Sequence, residues 1–309
     1  MRKNWRSISQ IVFGALALAF LVWAITSRWD QVLTALQDLA PLGVLAAAVL
    51  IFAGLYVNML SWRAVAAALG TPLTRSEAAT VFFTAQLGKY LPGGVWPIVA
   101  SARLGRAFGL SGTQSVGSMT IALLLSVTVA SVIAVGAVFA VPDLDGATAL
   151  VPVVLIAIGL VVLWPPILNR LLSKALRVLR RSEGLPPLSH RHMAAAGAWS
   201  LLSWALLGGA LSALVGATSA PSWSDGAISV SAYALSWVAG FAALIVPAGV
   251  GVREGVLVLV LSGSLGVPTV LGIAVVHRVM MTLGDVAMLL FTARRRNKVL
   301  TPTENESPK

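Results

Sequence analysis

Lys89, Arg253 and Arg278 stand in largely apolar stretches, and Glu254 and Asp285 are acids in the same kind of surroundings. An ionisable side chain at the depth of a bilayer centre costs about 3 kcal/mol or more, so such groups pair with one another or hold a ligand. Cations in apolar surroundings suit an anion such as a phosphate, and carboxylates beside them can neutralise the charge or carry protons. Arg253 can pair with its neighbour Glu254 as a purely structural bridge. Arg278 can pair with Glu254, can pair with Asp285 seven residues on and on the same helical face, or can meet a phosphate. Gln86 and Asn58 are neutral candidates for the same lining, and His277 is either a proton carrier or a satisfied polar residue. With no Cys and only three His, His190, His192 and His277, the chain offers no thiolate site and no zinc cluster, so no metal or cofactor is expected.

The elements that must position these groups are membrane helices. Of 309 residues, 58% are hydrophobic and 11% charged, where a globular domain carries about 25% charged residues. Mean hydropathy is +0.89. The net charge of +11 punctuates long apolar runs instead of covering a soluble fold, which excludes nucleic acid as the partner.

Apolar runs of about 20 residues, the length a bilayer needs, fall at 10–28, 41–62, 112–140, 148–169, 193–217 and 268–293. The connectors 28–40, 141–147 and 218–226 carry the acids, among them Asp143 and Asp145. Arg63, Arg75, a basic series from Arg170 to Arg191, and Arg294 to Lys298 flank the opposite ends. The positive-inside rule then places both termini and the central loop in the cytoplasm. Within that loop, 170–182 alternates Leu and Val with cations, as an amphipathic helix lying on an anionic leaflet does. The expected organisation is one membrane domain over 1–298 and a polar tail over 299–309.

Two stretches, 77–110 and 228–266, do not fit ordinary spans. The first breaks at Leu91, Pro92, Gly93 and Gly94, the second at Val246, Pro247, Ala248 and Gly249, where a continuous helix would lose about 3 kcal/mol for the proline alone. Each reads as a re-entrant hairpin of two half-depth helices, one from each face. Pro92 and Pro247, Gly94 and Gly249, Val95 and Val250, and Leu110 and Leu265 match at a constant offset of 155. Three spans lie between the copies, so the second is upside down: an inverted repeat, the layout in which broken helices meet near the midplane to build a substrate site. Irregular backbone at that depth must line a wet cavity or be buried in protein. The fold class expected is therefore an all-α polytopic membrane protein of six spans and two oppositely oriented broken hairpins.

Gln86-Leu-Gly-Lys89-Tyr-Leu-Pro92-Gly-Gly-Val-Trp-Pro97 and Pro247-Ala-Gly-Val-Gly251-Val-Arg253-Glu254-Gly255 resemble the two signature stretches of the lysylphosphatidylglycerol synthase transmembrane, flippase-like, family. Ala248 stands where that family often has Gly. The resemblance implies a multi-pass inner-membrane protein that moves an anionic or aminoacylated phospholipid, or a lipid-linked sugar, between leaflets. Members with a following soluble aminoacyl-transferase domain aminoacylate lipids. This chain runs only to a polar tail, so that activity is not expected of it.

On this reading the protein is a translocase and not an enzyme, with Lys89, Arg253, Glu254, Arg278, Asp285 and Gln86 holding the head group and Pro92, Gly94, Pro247, Gly249 and Gly251 forming the breaks. Gly249 and Gly251 do not form a nucleotide fingerprint, because the spacing to Gly255 is one residue too long. Two alternatives stand beside it: an integral-membrane enzyme acting on a lipid phosphate, or a scaffold that binds a glycosyltransferase or lipid-modifying enzyme through its basic loop. The Asp143 and Asp145 pair reads as a plain turn, and His190 and His192 as residues of the cytoplasmic loop.

Overall fold

The computed structural model describes residues 35–90, 96–140, 146–178, 185–218, 223–243, 249 and 251–300, the side chains of 140, 147–149, 223–225 and 293–300 excepted. The expected span at 10–28, both break prolines, Gly94, Asp143, Asp145 and the tail lie outside the described residues. Among the described residues there is no strand. The α-helices run in the order α1 Pro41–Ala68, α2 Arg75–Gln86, α3 Trp96–Leu104, α4 Gly112–Ala140, α5 Gly146–Leu163, α6 Pro165–Val178, α7 His190–Gly216, α8 Trp223–Ala242, α9 Val252–Leu265 and α10 Val267–Leu300. Four of them, over Pro41–Ala68, Gly112–Phe139, His190–Gly216 and Val267–Thr292, are long and apolar enough to cross a membrane.

Local chemistry sets the helix ends. Pro41 opens α1, where its missing N–H costs nothing. At α2, Glu77 N donates to Thr74 Oγ1 at 3.3 Å and Thr74 N donates back to Glu77 Oε2 at 2.8 Å, a reciprocal cap. Ser111 and Gln114 make the same exchange at the start of α4. Ser189 accepts from His192 N, so α7 begins at His190. His190 and His192 thus belong to the first turn of a helix and not to the loop in which the sequence reading put them.

The span expected over 148–169 is also corrected. Pro165 and Pro166 follow Trp164, and two residues without N–H groups cannot continue α5, so the chain turns by 74° and restarts as α6. The amphipathic helix therefore starts at Pro165, five residues before the expected 170, and is described to Val178. Asn169 fixes it to the following segment: its Nδ2 donates to Leu188 O and its Oδ1 accepts from Leu188 N, both at 2.9 Å.

Two four-helix units, α1 to α4 and α7 to α10, are related by the order and contacts of their members. The starts of α4 and α10, Gly112 and Val267, differ by the same 155 residues as the break motifs. α2 packs on α10 as α8 packs on α4, and α1 packs on both α4 and α10 as α7 packs on both α10 and α4. α1 and α7 form the most extensive helix pair and are their own counterparts. They run antiparallel: Ala40 N donates to Ala217 O at 2.9 Å at one end, and Ser61 Oγ donates to Ala196 O at 2.9 Å at the other. Antiparallel counterparts require a pseudo-twofold axis across the helices, so the repeat is inverted. The core of this assembly is built from Ile51, Met59, Trp62, Phe83, Leu211 and Leu214, all essentially without exposure.

The broken stretches depart in length from two equal half-depth arms. α2 and α3, with 12 and 9 residues, are short, whereas α8 has 20 residues and so spans about 30 Å at 1.5 Å per residue. α9, with 14 residues, follows after the interruption.

Candidate functional site

The residues that flank 91–95 and 244–248, with the helices beside them, line a cavity of about 280 Å³. Every residue read as substrate-binding lines it: Gln86 and Lys89 from the end of α2 and the following 3₁₀ turn, Arg253 and Glu254 from the first turn of α9, and Arg278 and Asp285 from α10. Asn58 of α1 and His277 of α10 are there too. Of the break residues, Gly249 lines the cavity, while Gly249 and Gly251 adopt φ of +66° and +83°. Those left-handed angles let the chain turn into α9 without the steric cost a side chain would add.

The charges sort into two pairs and a remainder. Arg278 Nη1 donates to Glu254 Oε1 at 2.6 Å, and the other carboxylate oxygen of Glu254 accepts from Gly251 N at 2.7 Å. Glu254 therefore closes the first turn of α9 while it neutralises a cation near the middle of α10. Lys89 Nζ lies 2.5 Å from Asp285 Oδ2, to which Tyr90 also donates its hydroxyl at 2.6 Å. This second pair crosses from the break of the first unit to the last helix of the second.

Arg253 is the remainder. The structural bridge with Glu254 that the sequence allowed does not form, because Glu254 is turned to Arg278 and Gly251. Among the described residues no carboxylate lies within 4 Å of Arg253, and its buried Nε has no hydrogen-bond partner. Its side chain is pinned against α8: a Cβ on Gly240 would sit 2.7 Å from Nε and 2.8 Å from Cγ, and the guanidinium carbon lies 5.8 Å from the centre of the Trp237 ring. The buried Nε2 of His277 is likewise without a hydrogen-bond partner, its ring packed edge-on at 5.0 Å from Tyr233.

Several lining residues were not singled out by the sequence reading. Tyr90 is the second hydrogen-bond donor to Asp285, and Gly240 makes room for Arg253. Trp204, Trp237 and Phe241 form an aromatic wall, with Trp237 and Phe241 stacked within 2° of parallel and Trp204 edge-on to Trp237. The one signal for that wall was the spacing of Trp237 and Phe241, one helical turn apart on α8.

Symmetry of the backbone is not symmetry of chemistry. At the 155-residue offset, Arg253 corresponds to Ile98, Glu254 to Val99, Arg278 to Leu123 and Asp285 to Ala130. Ile98 and Leu123 line the same cavity. Four of the five charged residues thus have apolar counterparts in the first unit.

Residues 8–287 match the family of the lysylphosphatidylglycerol synthase TM region. The chain belongs to that family. A comparison with curated proteins gives no match. Family membership together with the apolar helices makes this a multi-pass membrane protein of a lipid-related family.

Proposed function

We propose that this member of the family is a lipid translocase, which carries the phosphate-bearing head group of an anionic phospholipid or a polyprenyl-phosphate-linked glycolipid between leaflets. The observation that carries the proposal is Arg253, a cation held in a cavity at the helix interruptions with its buried Nε lacking a partner. A buried donor without an acceptor is costly, and an anionic oxygen supplies the acceptor. The cavity, at about 280 Å³, is at the lower end of ligand-pocket sizes, which suits a head group alone and leaves the acyl or prenyl chains in the bilayer.

The inverted arrangement supports the same reading. Two opposed units that meet at broken helices can expose a fixed central site to either side by rocking against one another. The pairs Lys89 with Asp285 and Glu254 with Arg278 then do two jobs: they hold the interruptions in register, and they hand part of the cation charge to a phosphate when the units shift. On this reading the first broken stretch is a re-entrant hairpin, both termini face the cytoplasm, the protein resides in the inner membrane and it performs no covalent chemistry.

Reconstitution tests it. Vesicles holding the purified full chain and a fluorescent phosphatidylglycerol or a labelled polyprenyl phosphate hexose are expected to lose outer-leaflet asymmetry faster than protein-free vesicles. Exchange no faster than in protein-free vesicles for both lipids would count against the proposal, and conversion of either lipid to a new product would favour an enzyme instead.

A further inference from the structure

The cavity also carries information on which head group fits. Resting on the lipid-binding reading above, we infer that the site selects a lipid phosphodiester esterified to an uncharged polyol, such as a glycerol, an inositol or a hexose, and rejects an aminoacyl or otherwise cationic head.

Charge excludes the cationic head. Lys89, Arg253 and Arg278 against Glu254 and Asp285 leave a surplus of one positive charge, which matches one phosphodiester and not a pyrophosphate. Both carboxylates are already engaged, Glu254 by Arg278 and Gly251 and Asp285 by Lys89 and Tyr90. A ligand ammonium would have to break a buried ion pair to find a counter-charge, and stranding its partner is strongly unfavourable. The aromatic faces offer no alternative. Cation–π contacts at Trp237 and Tyr90 are occupied by the protein's own Arg253, 5.8 Å from the ring centre, and Lys89, 5.4 Å away.

Neutral polar groups favour the polyol. Asn58 and Gln86 both reach the cavity, and neither side-chain amide makes a hydrogen bond among the described residues. A carboxamide donates and accepts at once, which is what a hydroxyl requires. The Ser203 and Ser236 hydroxyls donate to Gly54 O at 2.9 Å and Tyr233 O at 2.8 Å, so both retain lone pairs that accept from a polyol. Beside these groups, Phe241, stacked on Trp237, adds apolar surface to the lining for the C–H bonds of a polyol.

Native mass spectrometry of the full chain in detergent, titrated with lipids of matched acyl chains, tests the inference without relying on transport. Phosphatidylglycerol and phosphatidylinositol are expected to bind at least about ten-fold tighter than lysyl-phosphatidylglycerol, which differs from the first by a cationic lysyl ester on one hydroxyl. Both are also expected to bind better than phosphatidylethanol, the same diester without hydroxyls. A short-chain polyprenyl phosphate hexose in the series separates a glycerophospholipid from a lipid-linked sugar as the source of the polyol. The Asn58→Leu/Gln86→Leu variant is expected to abolish the preference over phosphatidylethanol. Lysyl-phosphatidylglycerol binding as tightly as phosphatidylglycerol, or phosphatidylethanol binding as tightly as either polyol lipid, overturns the inference. Should leaflet exchange fail while the preference holds, the translocase reading falls and the selectivity stands.

Discussion

Lys89, two residues before the break of the first unit, forms an ion pair at 2.5 Å with Asp285 on the last helix of the second. Asp285 is almost wholly buried, whereas a third of the Lys89 side chain is exposed. Each unit therefore supplies one half of a charge pair that joins them at the cavity. Removing one partner of a fully buried pair costs about 3–5 kcal/mol, and the exposure of Lys89 reduces that to about 1–3 kcal/mol here. Lys89→Ala is expected to lower the thermal unfolding midpoint in detergent, and Lys89→Ala/Asp285→Ala to recover part of the loss by removing the stranded carboxylate. An unchanged midpoint in the single variant contradicts the pairing.

Glu254 serves two partners with different requirements. Glu254→Gln keeps an oxygen for Gly251 N but removes the charge facing Arg278, whereas Glu254→Ala removes both. The alanine variant is expected to be less stable than the glutamine variant by about 1 kcal/mol, the contribution of one hydrogen bond at a helix start. Equal stabilities in a denaturation series would show that the bond to Gly251 contributes nothing.

Gly240 is where a methyl group would strike Arg253. With 2.7 Å between the added Cβ and Nε, Gly240→Ala must push the guanidinium aside. The cost of such overpacking is about 1–3 kcal/mol, and the larger effect is expected on ligand affinity, because the displaced group is the cation of the site. A weaker affinity for phosphatidylglycerol by ten-fold or more, with expression retained, is the expected result. Wild-type affinity would mean that the position of Arg253 is immaterial.

The cap at Thr74 lies outside the cavity and gives a control. Thr74→Ala removes the acceptor for Glu77 N and is expected to reduce stability by about 1 kcal/mol while leaving lipid affinity within two-fold of wild type. A loss of affinity here as large as that from cavity variants would show that the binding assay reads stability.

Much of the cavity was legible because charge in an apolar chain is conspicuous: Lys89, Arg253, Glu254, Arg278 and Asp285 are few, and all five meet. The inverted repeat was legible for a related reason. Pro and Gly disfavour a continuous helix, and the motifs that carry them share the 155-residue offset that separates the starts of α4 and α10. Pairing was legible only as alternatives: Arg278 with Glu254 was one of them, but so was Glu254 with its sequence neighbour Arg253, and only the fold, which points adjacent helical residues in different directions, decides between them. The bend at Trp164 was missed because the apolar composition runs through it, and only the missing N–H groups of Pro165 and Pro166 end the helix. The aromatic wall was hidden among residues that read as ordinary lipid-facing or core positions.

In the proposed mechanism the guanidinium of Arg253, whose buried Nε has no hydrogen-bond partner, binds the lipid phosphate. Leaflet exchange of fluorescent phosphatidylglycerol by Arg253→Gln, measured beside wild type in vesicles of equal protein content, tests it most directly. Glutamine keeps the length and polarity of the side chain but not its charge, so exchange is expected to fall by at least about ten-fold, the worth of one charge-assisted hydrogen bond. Exchange at the wild-type rate by a folded Arg253→Gln protein would contradict the account.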